Sequence, residues 1–346
     1  MRGGIWKAAR LLAELVNDLA AQANIQTSTI HADQVTANDG AGTAGRTGCN
    51  MVVDNANAEN VQWDNAFWFQ KNGIEYYKAV DAEIDLSAEA TAAGDTVAAS
   101  GSGAFWGFVN TAGTPDFESN AAAQDFASAI IALAQYSLAD NTLPPGSDDV
   151  ACACIQITEV AGGGYTFGTD SITAETETYY SFQGLPAVES AMASFALDAA
   201  AATFTYGAAD VVLGTGVRVV ATGKANVAFT GTTQVARGKV GAYLFYVLAD
   251  DSEVCLALGS AYSNLQAAKD AVRDAAPNPL MPLVGVIYVS ARKQAFTPGT
   301  TLLDAAGLDV TFVTNGPGAN QSEQGRAQLG TVFTAVDDID TVEGIL

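Results

Sequence analysis

Pairs of long apolar runs recur in the two halves of the chain. The segments "SGAFWGFVN" (102–110) and "DVACACIQITEV" (149–160) carry apolar residues on both faces, as strands covered on both sides require. The segments "VGAYLFYVLAD" (240–250) and "LVGVIYVSA" (283–291) have the same character. The pattern predicts two buried strands in each half of the chain.

Each pair of runs is separated by a segment with helical periodicity, followed by prolines. Segment 119–141 repeats apolar residues at three- and four-residue spacing, with Ser119 or Asn120 as its cap. Segment 260–276 has the same periodicity. Because a helix between two strands acts as a crossover, we expect the two buried strands of each half to be parallel neighbours, with hairpins at the sheet edge. One such hairpin is predicted around the Asn72-Gly73 turn.

A closing segment completes the repeated order. The stretch "FTPGTTLLDAAG" (296–307) has a looser counterpart in "YTFGTDSITAET" (165–176). The sequence therefore predicts an α+β fold of two tandem duplicated small domains, each with a mixed sheet and one helix. The first domain is placed at 63–176 and the second at 204–314. A linker (177–203) with a predicted alanine-rich helix at 187–204 joins them, and a tail (315–346) follows.

The amino-terminal segment 1–25 has the pattern of an amphipathic helix. Its apolar stripe is interrupted by charged side chains, a pattern that predicts neither a signal peptide nor a membrane span. The stripe is expected to pack on its own domain, on sister chains or on another protein; its members include Ile5, Leu12, Leu15 and Leu19. Segment 26–62, rich in Ala, Asn, Asp, Gly and Thr, is expected to be an extended arm.

Charge and cysteine content narrow the classes of partner. Asp and Glu outnumber Lys and Arg by 38 to 15, so the net charge is -23. Such a charge repels phosphate backbones and anionic membranes, and neither nucleic acid nor membrane is expected as a partner. The four cysteines, Cys49, Cys152, Cys154 and Cys255, lack metal-ligand spacing. Buried free thiols are the main interpretation, with a disulfide or a metal site as the alternative.

Few residues point to catalysis. His31 is the only histidine, which leaves no base for a serine triad elsewhere. The glycine-rich "GAGTAGRT" (40–47) lacks the strand and helix of a phosphate-binding loop and is interpreted as a turn. The acids Asp81, Glu83 and Asp85 alternate, which puts them on one face of a predicted strand. That face is interpreted as solvated, with calcium binding or a glycosidase pair as alternatives.

Aromatic residues cluster just before the first predicted domain. Trp63, Phe67, Trp68 and Phe69 lie within seven positions of each other. Such a cluster is typical of the lid of a core, with a protein-binding anchor and sugar stacking as the alternatives. Trp63 and Trp68 are therefore candidate residues of an interface with another protein or subunit.

The repeated segments resemble small domains of structural proteins from tailed-phage virions, described as head-fibre, head-decoration or tail-associated proteins. The resemblance covers 67–175 and 204–314 and is closest at 282–289 and 296–307. The first copy departs from the pattern, because Phe167 stands where the second copy has Pro298. The family has no catalytic motif, so the resemblance implies a structural role without enzymatic activity, cofactor or metal.

These observations lead to a functional expectation. The chain is expected to be a capsid decoration or head-fibre protein, located in the virion after assembly in the host cytoplasm and forming a homo-oligomer, most simply a trimer. Its expected partners are the major capsid protein or another virion protein. The candidate contact residues are Ile5, Trp6, Leu12, Leu15, Leu19, Trp63 and Trp68. The alternatives are a tail-fibre or baseplate adhesin and a carboxylate-dependent polysaccharide depolymerase.

Overall fold

The structure is a computed structural model that describes residues 34–38, 48–71, 74–138, 143, 148–231, 233–248, 252–315 and 319–320. Below, the first half means residues 34–181 and the second half residues 187–320. The predicted helix at 1–25 and almost all of the predicted tail at 315–346 lie outside the described residues.

The described residues form a fold rich in β-sheet, with 24 strands and three α-helices. The helices are α1 (Leu86–Glu89), α2 (Ala129–Ala134) and α3 (Leu265–Asp274), and short 3-10 turns occur at Gln135–Leu138 and Ile172–Ala174. The strands of the first half are β1 (Gln34–Asn38), β2 (Met51–Val53), β3 (Val61–Trp63), β4 (Phe67–Lys71), β5 (Ile74–Lys78), β6 (Asp81–Ile84), β7 (Thr96–Val97), β8 (Ser102–Val109), β9 (Pro115–Ser119), β10 (Ala123–Gln124), β11 (Val150–Thr158), β12 (Tyr165–Thr166) and β13 (Thr176–Ser181). The strands of the second half are β14 (Ala187–Ser190), β15 (Phe195–Leu197), β16 (Thr203–Tyr206), β17 (Ala209–Val212), β18 (Arg218–Ala221), β19 (Lys224–Ala228), β20 (Val240–Val247), β21 (Glu253–Tyr262), β22 (Leu283–Ala291), β23 (Leu308–Thr314) and β24 (Ala319–Asn320).

Each half is built around a four-stranded sheet with the predicted buried strands at its centre. The order is β9-β8-β11-β13 in the first half and β21-β20-β22-β23 in the second. If the four strands of each sheet are numbered by their order along the chain, their spatial order in both sheets is second, first, third and fourth. In the sequence, a helix lies between the second and third of these strands. The two large sheets therefore have the same connectivity.

The predicted parallel pairing of the central strands is wrong. β8 pairs antiparallel with β11 and β20 pairs antiparallel with β22, and both large sheets are antiparallel throughout instead of mixed. The sequence pattern missed β9 and β21, which return antiparallel beside the first strand before the helix begins. The helix therefore crosses from the second strand to the third, and these two flank the first strand in the sheet.

Each half also contains smaller sheets, formed mainly by strands that precede the large sheet and, in the second half, also by β24, which follows it. In the first half they are β1-β4-β5 and β2-β3-β6, and in the second half β18-β17-β14-β24 and β15-β16-β19. The small sheet β10-β7-β12 contains a parallel pair, β10 with β7. The predicted hairpin around positions 72–73 is present as the antiparallel pair β4–β5, in which Lys71 is opposite Ile74.

Three predicted segments differ from the structure. The predicted helix at 187–204 is wrong, because this segment forms β14, β15 and the start of β16. Pairing with β17 and burial of Val188 outweigh the helical propensity of its alanines. The helix predicted at 119–141 is confined to α2 and its 3-10 extension, with Ser128 as the N-cap. The described part of the predicted arm forms strands β1, β2 and the start of β3 instead of a free extension.

The core consists of two clusters separated by the first large sheet. One face of that sheet, with Trp106 and Phe108, joins a large cluster that includes the core of the second half. The opposite face, with Phe105 and Val109, packs into the smaller cluster of the first half. All eight residues of β8 are buried, as are all eight of β20. The prediction that both strands are covered on both faces is confirmed.

The closing segments of the two halves have the same turn. Gly168 and Gly299 both have φ of 72°. The N–H of Thr166 donates to Asp170 Oδ2 at 2.7 Å, and the N–H of Thr297 donates to Thr301 Oγ1 at 2.9 Å. Both turns make an antiparallel contact with the segment that precedes the large sheet. Tyr165 pairs with Val97 of β7, and Phe296 forms an isolated bridge with Val235.

Candidate functional site

The acidic segment 81–85 does not form a common ligand face. Asp81 and Glu83 lie on β6, but the strand ends at Ile84 and Asp85 is the N-cap of α1. The prediction of three acids on one strand is therefore wrong for Asp85. Its Oδ1 accepts bonds from Ser87 Oγ at 2.7 Å and from the Ser87 N–H at 3.0 Å, and these bonds lower the pKa of Asp85.

The other two acids have separate structural partners. Asp81 Oδ2 lies 2.8 Å from Lys78 Nζ, and Glu83 Oε1 accepts a bond of 3.2 Å from Asn60 Nδ2. Within the described ranges, no group of three or more His, Cys, Asp or Glu side chains is arranged to hold a metal ion. The geometry at 81–85 therefore favours local structural roles over calcium binding or a glycosidase pair.

The aromatic cluster is divided between the core and the surface. Trp63, Phe67 and Phe69 are fully buried, and the Trp63 and Phe67 rings meet edge to face with centroids 5.5 Å apart. Lys78 Nζ lies 5.6 Å from the centroid of the Trp63 ring and caps it with a cation. The assignment of Trp63 as an interface residue is wrong, because its side chain is enclosed by its own chain as the core-lid interpretation expects.

Trp68 lies on the opposite face of the same hairpin. It is half-buried and faces Tyr77 across the β4–β5 pair, with ring centroids 5.2 Å apart. Tyr77 is 48% exposed. The pair is an exposed aromatic surface, so Trp68 stays a candidate contact residue.

The cysteines are four buried free thiols, as predicted. Cys49 Sγ lies 3.5 Å from Ser181 Oγ and 3.6 Å from the carbonyl oxygen of Cys152, contacts that join the segment before β2 to the large sheet. Burial raises the pKa of the thiols of Cys152, Cys154 and Cys255 well above the ordinary range. These thiols stay protonated near neutral pH and are poor nucleophiles.

Sequence patterns did not single out an acidic group on edge strand β9. Asp116 and Glu118 alternate with the buried Phe117, and Asp95 lies nearby. Partial burial, together with the charges of Asp116 and Asp95, raises the pKa of Glu118 to about 7. The alternation in "PDFES" (115–119) indicates a strand with one acidic face, but only the fold brings Asp95 to it.

Several predicted site residues lie outside the described residues. They are Ile5, Trp6, Leu12, Leu15, Leu19, His31 and the glycine-rich segment 40–47. In the part of the chain that the structure describes, no helix has the length and apolar character needed to cross a membrane.

Similarity to known proteins does not identify a function for this chain. Comparisons of the chain with family models, with curated proteins and with solved structures found no match.

Proposed function

We propose that this chain is a non-enzymatic structural component of a tailed-phage particle, built from two copies of one β-rich unit. It is most simply a capsid decoration or head-fibre protein. The single observation that carries the proposal is the repeated unit, because both halves have the same strand order in the large sheet and the same closing turn. The resemblance of the repeated segments to virion domains supplies the setting.

The repeat that we infer is longer than the predicted domains. Strands β1, β4 and β5 form a sheet in the first half, and β14, β17 and β18 are adjacent in the same order in the second. The sheets β2-β3-β6 and β15-β16-β19 also correspond. We therefore infer duplication of a unit that spans 34–181 in the first copy and 187–314 in the second, which makes the predicted linker part of the units.

Corresponding close contacts support this duplication. A Cβ built on Gly103 would lie 2.6 Å from Val97 Cγ2, and one built on Gly241 would lie 2.5 Å from Val235 Cγ2. In both copies the first central strand thus needs glycine where the preceding segment crosses it. Independent sequences rarely arrive at the same steric requirement at the same topological position.

The roles of the polar side chains favour a structural protein. Glu159 accepts bonds from backbone N–H groups of Ser100, Gly163 and Gly164, and Asp198 accepts from Thr203 and Thr205. These carboxylates satisfy backbone and hydroxyl donors inside turns. Such use of acids holds loops in place.

Attachment is assigned to the amino-terminal region. The sequence of segment 1–25 has an apolar stripe that needs a partner, and the chain then enters the first unit through β1, which pairs with β4. A partner that holds this segment is therefore connected directly to a sheet. We propose that Ile5, Trp6, Leu12, Leu15 and Leu19 contact capsid or sister chains, and that a trimer and the particle lattice add avidity.

The test is whether the chain is part of purified particles and what holds it there. We expect mass spectrometry of density-purified particles to contain the full-length chain, and cryo-electron microscopy to locate it on the particle. Deletion of residues 1–33 leaves β1 in place and should abolish copurification. The matched control is deletion of 321–346, which should copurify like the wild type.

Other outcomes would contradict the proposal in distinct ways. Absence of the wild-type chain from purified particles would reject a virion role. If the wild-type chain is located at the tail and particles with the deletion of 1–33 fail to adsorb to the host, the protein is an adhesin. Release of reducing sugar from host polysaccharide, lost in a variant with D81N, E83Q and D85N, would indicate the depolymerase.

A further inference from the structure

We propose that a basic surface at one end of the second half binds an acidic surface on the first half of another copy of this chain. The basic end consists of Arg237, Lys239, Arg292 and Lys293, and the acidic edge consists of Asp95, Asp116 and Glu118. This contact is independent of the proposed attachment through residues 1–33. It would connect copies of the chain head to tail.

Backbone bonds bring the basic residues together from two separate turns. The N–H of Gly238 donates to the carbonyl of Ala291 at 2.6 Å, and the N–H of Ala291 donates to the carbonyl of Lys239 at 2.9 Å. The N–H of Lys293 donates to the carbonyl of Gly307 at 3.0 Å. The turn before β20 and the turn after β22 are therefore held side by side at one end of the large sheet.

The basic end is exposed and only partly neutralised. All four side chains are exposed, and they represent four of the 15 Lys and Arg residues in a chain of net charge -23. Within the described part of the chain, Arg292 forms an ion pair with Asp309, and the other three form none. A concentrated positive surface on so acidic a protein attracts an anionic group.

The first half shows that the turns do not need these charges. The N–H of Gly101 donates to the carbonyl of Ala98 at 2.9 Å, and the N–H of Lys239 donates to the carbonyl of Ala236 at 3.0 Å. The carbonyl of Gly101 accepts a bond of 2.9 Å from the N–H of Glu159, just after β11, and the carbonyl of Lys239 accepts a bond of 2.9 Å from the N–H of Ala291, at the end of β22. In the first half, the residues that correspond to Arg237, Lys239, Arg292 and Lys293 are uncharged. They are, in that order, Ala99, Gly101, Val160 and Ala161. The fold therefore forms without the basic side chains, which points to binding as their role.

The acidic edge has the complementary property. Asp116 accepts bonds from the Thr91 N–H at 2.8 Å and from Thr91 Oγ1 at 3.0 Å, and Asp95 Oδ2 accepts from Ser119 Oγ at 2.5 Å. These bonds fix two carboxylates beside Glu118, whose pKa is raised by partial burial and by the charges of Asp116 and Asp95. In the described ranges no Lys or Arg forms an ion pair with any of the three. A cation from another chain would relieve the repulsion.

The compact shape of the basic end favours a protein surface over a polyanion. An extended nucleic acid would continue past four charges onto a strongly acidic surface, where repulsion opposes binding. Three carboxylates on a second copy supply a small anionic group of opposite charge to the basic end. Because the two surfaces are different parts of the chain, their contact is heterologous and generates rings or open chains of copies.

The test uses the full chain and measures self-association by sedimentation velocity at low and high ionic strength. At low ionic strength we expect the wild type to form larger species than at high ionic strength. We expect K239E/K293E to weaken this association by about tenfold or more. For the single variant K239E, the control with the same change in net charge is K269E, at an exposed lysine on α3. It should associate like the wild type.

Mixing variants identifies the partner surface. E118K should also lose association alone, and a mixture of E118K with K239E/K293E should recover it, because the unchanged basic end of the first variant then meets the unchanged acidic edge of the second. A wild type that stays the same size at both ionic strengths would overturn the proposal, as would K239E that behaves like K269E. Binding of heparin to the basic end without self-association would overturn the assignment to a second copy.

Discussion

Asn278 Nδ2 donates a hydrogen bond of 2.8 Å to the carbonyl oxygen of Leu133, and thereby joins residues 145 positions apart. Leu133 lies in α2 of the first half, and Asn278 lies in the proline-containing loop before β22 of the second. The Asn278 side chain is fully buried, and its Oδ1 accepts from the N–H groups of Leu280 and Met281. One amide therefore connects the two halves and shapes the loop that enters the second central strand.

We expect N278A to lower the free energy of unfolding by about 2–3 kcal/mol, because three buried backbone groups lose their partner. Urea denaturation followed by circular dichroism measures the change. N278D keeps an acceptor for Leu280 and Met281 but replaces the donor to Leu133 with a buried carboxylate, so it should be at least as destabilising. An unchanged midpoint for N278A would contradict the importance of this connection.

Gly241 is expected to tolerate no side chain while Val235 is present. An ideal Cβ built on Gly241 lies 2.5 Å from Val235 Cγ2, which is too close for an ordinary contact. We therefore expect G241A to lower the free energy of unfolding by about 1–3 kcal/mol. The double variant V235A/G241A removes the obstructing methyl and should be less destabilised than the sum of the two single changes. Simple additivity in thermal or urea unfolding would argue against this contact.

The corresponding change in the first half provides an internal comparison. G103A meets Val97 Cγ2 at 2.6 Å and also the Gln124 amide at 3.1 Å. We expect a destabilisation at least as large as that of G241A. Similar costs at both glycines would support the inferred duplication, and a neutral G103A would weaken it.

Glu159 is expected to make stability depend on acid pH. Hydrogen bonds from backbone N–H groups, above all that of Ser100, lower its pKa below the reference value of 4.5. Because the folded pKa is the lower one, the stabilisation is complete above the unfolded pKa and is lost as pH falls through the folded pKa. The advantage of the wild type over E159Q in the free energy of unfolding should therefore shrink as pH falls from about 5 to about 3. A difference that is independent of pH in this range would contradict the assignment.

The two tryptophans of the aromatic cluster should respond differently to truncation. W63A removes a fully buried side chain, and we expect it to cost about 3–5 kcal/mol in the free energy of unfolding. W68A removes a half-buried ring from a surface pair and should cost about 1 kcal/mol. If Trp68 contacts a particle or sister chain, W68A should also weaken copurification with particles although the chain stays folded. Equal destabilisation by the two variants would contradict the division of the cluster into core and surface.

Local pattern determined much of this protein by itself. Continuous apolar runs predicted the four central strands, the sequence around positions 72–73 predicted the β4–β5 hairpin, and the spacing of the cysteines favoured buried thiols. These features depend on side-chain burial and turn chemistry within a few residues, and such information is contained in short stretches of sequence.

Only the tertiary structure decided strand direction, the fate of 187–204 and which tryptophan is buried. Strand β9 reverses the chain before α2, and the alanine-rich segment becomes strands because β17 offers a pairing edge. Trp63 and Trp68 are the same residue type and lie five positions apart, yet they belong to different sheets, and one side chain is buried while the other is at the surface. Contacts between residues far apart in sequence determine these outcomes, so hydrophobic periodicity alone does not contain them.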